Sequence, residues 1–135
     1  MTSQGAIVVA YSSDEYGAAA LSHGADAARA DGVPLVVVNA TRGDAYVDRR
    51  YAPDAAISAL EERLRGEGIE VTVRHETVPD IADAGLDAAR EAGARLIVVG
   101  IRRRTPVGKM LLGSVAQRVI LDAECPVLAV KPPRH

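Results

Sequence analysis

Residues 96–120 read LIVVGIRRRTPVGKMLLGSVAQRVI, and three unlike pieces follow one another within them. Leu96–Val99 is a short apolar run that stops at Gly100. A basic stretch comes next, with Arg102, Arg103, Arg104 and Lys109. Gly113-Ser114 then opens a segment that carries Val115, Val119 and Ile120 on one helical stripe. A buried strand, a long connection and a helix, in that order, are the parts of a parallel α/β sheet, which keeps its ligands at the C-terminal ends of its strands.

The same alternation extends in both directions. Apolar runs occur at Ala6–Tyr11, Val33–Ala40, Ile69–Val73, Arg95–Val99 and Pro126–Val130. Four of them are nearly continuous, as expected of parallel strands covered by helices on both faces. Ile69–His75 instead alternates, with Ile69, Val71 and Val73 against Glu70, Thr72 and Arg74, the pattern of an edge strand with one wet face. Helices are expected at about Asp14–Ala30, Pro53–Arg65, Asp80–Ala92 and Ser114–Ala123. Ser12 with Glu15 has the spacing of a capping box at the first, and Pro53 suits the first turn of the second. The resulting order β-α-β-α-β-α-β-α-β predicts one α/β domain over residues 1–135, a three-layer αβα arrangement around a five-stranded parallel sheet. Thr41–Ala52 and Ile101–Leu112 exceed the usual connection of about 2–6 residues, and function is sought there.

Composition narrows the function. The chain has 135 residues, 48% hydrophobic and 25% charged, with a net charge of −2, which disfavours long disorder and a strongly basic nucleic-acid surface. Its only aromatics are Tyr11, Tyr16, Tyr46 and Tyr51, too few for base stacking along a single strand. No apolar run approaches the roughly 18 residues of a membrane span. The start, MTSQG, lacks the basic region of a secretion signal. The single cysteine, Cys125, precedes Pro126 and is read as a packed thiol, with no Cys/His cluster for a metal. A cytoplasmic location is expected.

Chemistry concentrates at Gly100–Ser114. Unpaired N–H groups at the helix start, the positive end of its dipole and the Ser114 hydroxyl make an anion site, with Gly113 allowing close approach and the arginines supplying countercharge. An equally weighted reading needs no ligand: Ser114 and Gln117 form S-x-x-Q, a capping box, and three arginines suit a solvated loop. Gly108-Lys109 fails as a P-loop, because Arg103 and Met110 stand where glycine and Ser/Thr are required. A receiver domain lacks its aspartate, since the third strand ends Arg74-His75-Glu76. His75 beside Glu76 is read as an exposed structural pair, and Asp14-Glu15 as first-turn acids. Asp44, Asp48, Arg49 and Arg50 in the Thr41–Ala52 loop suit either a lid or a solvated insertion. No nucleophile, base and orienter converge, so a dedicated enzyme is not expected.

The chain resembles the universal stress protein family. The family motif runs glycine, two residues, glycine, nine residues, then Gly-Ser or Gly-Thr. Gly100, Arg103 at the second glycine position, and Gly113-Ser114 reproduce its spacing, and AIVVAYSSDE, LIVVG, LLGSVAQRV and CPVLAVK extend the likeness over the whole chain. The resemblance implies an adenine-nucleotide α-hydrolase-like sheet ordered 3-2-1-4-5. It implies that ATP, with Mg²⁺ accompanying the nucleotide, meets Tyr11, Ser12, Val38, Asn39, Gly100, Arg102, Arg103, Gly113, Ser114 and Val115. It also implies a homodimer through Pro126–Val130. Two positions depart from the pattern. Ser12 stands where nucleotide-binding members carry aspartate, and Arg103 is either a bidentate phosphate clamp or a plug of the slot. The expected function is therefore a stress-response regulator that binds ATP. The alternatives are a nucleotide-free dimeric interaction module and a binder of acidic metabolites.

Overall fold

The computed structural model describes residues 5–43, 51–101 and 113–133. Arg102, Arg103, Lys109 and the charged residues between 44 and 50 lie outside the described residues. The elements alternate as the apolar runs require: β1 (Ile7–Ala10), α1 (Glu15–Asp31), β2 (Leu35–Thr41), α2 (Asp54–Gly66), β3 (Val71–Thr77), α3 (Ile81–Ala92), β4 (Leu96–Gly100), α4 (Ser114–Asp122) and β5 (Val127–Val130). The strands form one sheet in the order β3-β2-β1-β4-β5, parallel throughout, with Val8 opposite both Val36 and Ile97.

Side chains that alternate across the central strands build two cores. Ile7, Val9, Leu35, Val37 and Val98 pack with Leu21, Leu60 and Leu64 beneath α1 and α2. Val8, Val38, Ile97 and Val99 pack with Leu86, Ala88, Ala116 and Val119 beneath α3 and α4. A right-handed crossover from β1 to β2 puts its helix on the first face, and one from β4 to β5 puts its helix on the other. The chain therefore leaves β1 and β4 in opposite directions. A crevice opens between their C-terminal ends.

Two close approaches fix this corner. A Cβ on Gly17 would lie 1.7 Å from the Ser12 carbonyl oxygen, and one on Gly100 would lie 2.3 Å from the Tyr16 carbonyl oxygen. The first turn of α1 thus rests directly on the ends of β1 and β4.

Several details differ from the sequence reading. The N-cap of α1 is Asp14, whose Oδ1 accepts from the Gly17 N–H at 2.9 Å and from the Ser12 hydroxyl at 2.7 Å. Ser12 and Glu15 do not form the capping box, because the carboxylate two residues on is nearer to the open amides. Pro53 precedes the first turn of α2 as its N-cap instead of sitting in it. β3 is the edge strand its alternation predicts and runs on to Thr77. β5, at the opposite edge, is not covered on both faces: Leu128 is 40% exposed, and Ile120 of α4, expected in the core with Val119, is 39% exposed. Among the described residues, no helix is long and apolar enough to cross a membrane.

The close approach at residue 100 predicts asymmetric tolerance. Gly100→Ala should lose about 1–3 kcal/mol in urea unfolding, because backbone cannot yield as a side chain does. Gly113→Ala, with φ −63° and no described atom within 4 Å of its Cβ, should cost no more than about 1 kcal/mol, the preference of an N-cap for glycine over alanine.

Candidate functional site

The crevice at the switch between β1 and β4 holds an open cleft of about 190 Å³. Tyr11 and Ser12 border it after β1, Val38 and Asn39 on β2 level with the end of β1 and just beyond it, Gly100 at the end of β4, and Gly113, Ser114 and Val115 at the start of α4. These are the described residues among the sequence candidates, and the fold brings all of them to one place. Arg102 and Arg103 lie outside the described residues.

Each side chain is positioned by its element. Gly113 is the N-cap of α4, extended at φ −63° and ψ 155°, and makes no side-chain cap hydrogen bond. Ser114 is already the first helical residue, so the S-x-x-Q box does not form. Gln117 instead donates its backbone N–H to the Gly113 carbonyl at 2.9 Å, as an ordinary helix bond. The capping explanation for Ser114 is thereby removed, and among the described residues no side chain accepts from the first amides of α4 at the edge of the cleft. The Ser12 hydroxyl commits its proton to Asp14, so toward a ligand it is an acceptor.

Asn39 is 1% exposed and joins two segments. Its Nδ2 donates to the Tyr11 carbonyl at 3.0 Å, and its Oδ1 accepts from the Ala52 N–H at 2.8 Å. The Ala52 carbonyl lies 2.7 Å from His75 Nε2, and because a carbonyl only accepts, that nitrogen is the donor. His75 Nδ1 lies 3.1 Å from the Asp54 carboxylate, and the Tyr51 ring stacks on the imidazole at 4.2 Å between centroids. His75 is therefore not the exposed pair with Glu76 expected from sequence. With its side chain only 13% exposed, it holds residue 52 to the sheet edge from one side while Asn39 holds it from the other. This makes Asn39 a hinge between β1 and the return into α2, as well as a cleft residue.

The walls contain residues that the sequence reading did not single out. Ile81 and Gly85 of α3, Ala40, Val99, Ala116 and Val119 make one side apolar, while Asp14 and Tyr16 join the polar turn after β1. Ile81 and Gly85 are four apart and so share a helix face, the one signal available in the sequence. Behind the wall, Arg118 of α4 reaches three carboxylates: Asp122 at 2.6 Å, Asp83 at 2.5 Å and Asp80 at 3.5 Å. Asp80 caps α3 and its carboxyl is held below the usual carboxylate range. The Asp83 N–H it accepts contributes most, partial desolvation opposes it, and the Arg118 charge adds to the lowering. The guanidinium thus ties the two helices that frame the cleft. Cys125 is half-buried outside the cleft, and desolvation pushes its thiol up, away from reactivity at neutral pH. Among the described residues, no cluster of three metal-ligating side chains occurs.

Comparison with known proteins places this geometry. The model of the universal stress protein family matches residues 5–131. The universal stress protein of Mycolicibacterium smegmatis is 47% identical over 126 residues, covering 93% of this chain and 97% of that protein. The solved universal stress protein of Archaeoglobus fulgidus is 31% identical with a TM-score of 0.76, over 95% of this chain and 98% of that one. A second Archaeoglobus fulgidus structure, in complex with dAMP, is 29% identical with a TM-score of 0.66, over 97% of this chain and 100% of that one.

The double anchorage of residue 52 generates a test. Asn39→Leu keeps the branched shape but strands the buried Ala52 N–H, so stability should fall by about 1–3 kcal/mol. Hydrogen exchange should show the Ala52 amide losing protection ahead of the β1 and β4 amides.

Proposed function

The chain belongs to the universal stress protein family, and on that footing we propose that it binds an adenine nucleotide, ATP, in the cleft at the β1–β4 switch. The observation that carries the reading is the start of α4: an N-cap glycine that makes no side-chain cap hydrogen bond, with no acceptor side chain among the described residues, opening on the cleft. Amides in that position favour an anion, and the helix dipole adds to them. The apolar wall from α3 and the strands suits a base, and the Ser12 hydroxyl suits a donor on the base or ribose. The Archaeoglobus fulgidus neighbour solved with dAMP supports the ligand class.

In this reading Gly100 and Gly113 play different parts. Gly100 has no side chain because Tyr16 lies against it, so it places the strand end. No described atom lies within 4 Å of where a Cβ on Gly113 would stand, which suits it to the part of meeting phosphate with bare backbone. Tyr11 packs its ring against the core beneath α1 and α2, and it serves the cleft through the carbonyl fixed by Asn39. Ser114 and Val115 present the first amides of α4, and Val38 presents the middle of β2, level with the end of β1. Arg102 and Arg103 are proposed to supply countercharge, and Mg²⁺ to arrive with the triphosphate. The protein acts by binding in the cytoplasm, as a stress-response regulator and not as a dedicated enzyme.

A homodimer through β5 belongs to the same proposal. β5 ends the sheet, and the large exposed hydrophobics of the described residues, Ile120, Leu121 and Leu128, gather on β5 and the neighbouring α4. An unpaired parallel edge with an apolar flank is suited to a second copy.

Two measurements test these readings. In calorimetric titration with ATP and Mg²⁺, the wild-type chain should bind saturably and Gly113→Val should not. The extended backbone at 113 accepts valine, so circular dichroism and the unfolding midpoint should stay unchanged. Tight ATP binding by folded Gly113→Val removes the site from α4. In analytical ultracentrifugation, the wild-type chain should sediment as a dimer and Leu128→Lys as a monomer. A wild-type monomer at high micromolar concentration ends the dimer.

A further inference from the structure

Gly85 lies inside α3, where glycine lowers helix stability relative to alanine. Elsewhere in the fold a glycine of this kind has a steric reason. Gly24 of α1, for example, would set a Cβ 2.3 Å from Val9 Cγ2. At Gly85 that reason is missing. Its backbone is helical with no positive φ, and no described atom lies within 4 Å of where its Cβ would stand. Yet the residue is buried. A residue whose absent side chain would meet no described atom, and which lines the cleft, borders space that the described residues leave unfilled.

The surroundings say what that space can hold. Gly85 lies one turn after Ile81, and the facing walls are Val38 and Ala40 of β2, Val99 of β4 and Val119 of α4. Hydrocarbon on these walls favours a flat apolar surface and offers no partner to a phosphate or a hydroxyl. The polar groups of the cleft are elsewhere, on the turn after β1 and at the start of α4. We infer that Gly85 is a specificity-determining residue: the side chain it lacks leaves a slot under α3 for the flat face of a heteroaromatic base, and the slot's depth limits the ring that enters. The inference rests on the nucleotide reading of the cleft and adds to it the residue that sets the depth of the wall against the base.

Stability and recognition then oppose each other at one position. Gly85→Ala restores helix propensity and fills part of the slot, and Gly85→Leu fills it. Thermal unfolding without ligand should show the Ala chain melting about 3–6 °C above wild type. Calorimetry with ATP and, separately, with inorganic triphosphate should show ATP weakened about tenfold in Gly85→Ala and about a hundredfold in Gly85→Leu, with triphosphate changed less than twofold. Equal losses for both probes, unchanged ATP affinity in Gly85→Ala, or an Ala chain less stable than wild type each overturn the inference. A wild-type chain that binds triphosphate as tightly as ATP overturns it while leaving the anion site standing. A wild-type chain that binds neither overturns the nucleotide reading and this inference together.

Discussion

Everything at the functional end of this molecule depends on backbone meeting backbone at one corner. The Ser12 carbonyl presses on Gly17, and Gly100 presses on the Tyr16 carbonyl, so α1 starts in direct contact with the ends of two neighbouring strands. No side chain intervenes, and none fits. A contact of that kind cannot be adjusted by a rotamer change. It locks the angle at which α1 leaves the sheet and hence the width of the crevice on the other side of β1 and β4. The crevice follows from topology, because crossovers of one hand send the chain to opposite faces from adjacent strands. The glycine contacts convert a topological necessity into a cavity of fixed shape.

Polar groups hold the rim in a complementary way. Asn39 is buried and gives both ends of its amide to backbone, one to the end of β1 and one to the segment returning into α2. His75 holds the same return from the sheet edge. On the far side, Arg118 gathers three carboxylates from α3 and α4. Any one exposed pair contributes little, but here a single guanidinium stands between like charges, so the helices would repel without it. The cleft is bounded by a rigid corner, an amide hinge and an ionic tie.

Much of this was legible in the sequence, for a physical reason. Buried parallel strands must be apolar on both faces, so β1, β2 and β4 announce themselves as runs, and β3 announces its edge position by alternating. Gly113-Ser114 was legible as a helix start that opens on the site. What failed to show depends on distances between residues remote in sequence. Ser12, Ser13 and Asp14 are all cap formers, and only the geometry of the turn selects Asp14. Ser114 and Gln117 have the spacing of a capping box, and only the turn geometry shows that Gly113 occupies the N-cap in place of Ser114. Ile120 and Leu128 read as core because hydrophobicity does not reveal that a strand is the last in its sheet. His75, paired by adjacency with Glu76, in fact meets residues 51, 52 and 54, which no local pattern links to it.

The glycines sort the molecule into frame and site. Gly17, Gly24 and Gly100 are excluded from carrying a side chain by atoms already present. Gly32, Gly68 and Gly93 have positive φ after helices, where a Cβ would strain the backbone. Gly66 closes α2, where a helix is ending anyway. Gly85 and Gly113 have none of these justifications, and both border the same cleft. A helix-interior glycine forgoes propensity, and a glycine N-cap forgoes the acceptor that serine or aspartate would give. A chain that uses Asp14 and Asp80 to cap α1 and α3 does not lack the chemistry to cap α4. The stability left unclaimed at these two positions is concentrated where space and bare amides would serve the proposed ligand, and that concentration favours a binding cleft over a packing defect.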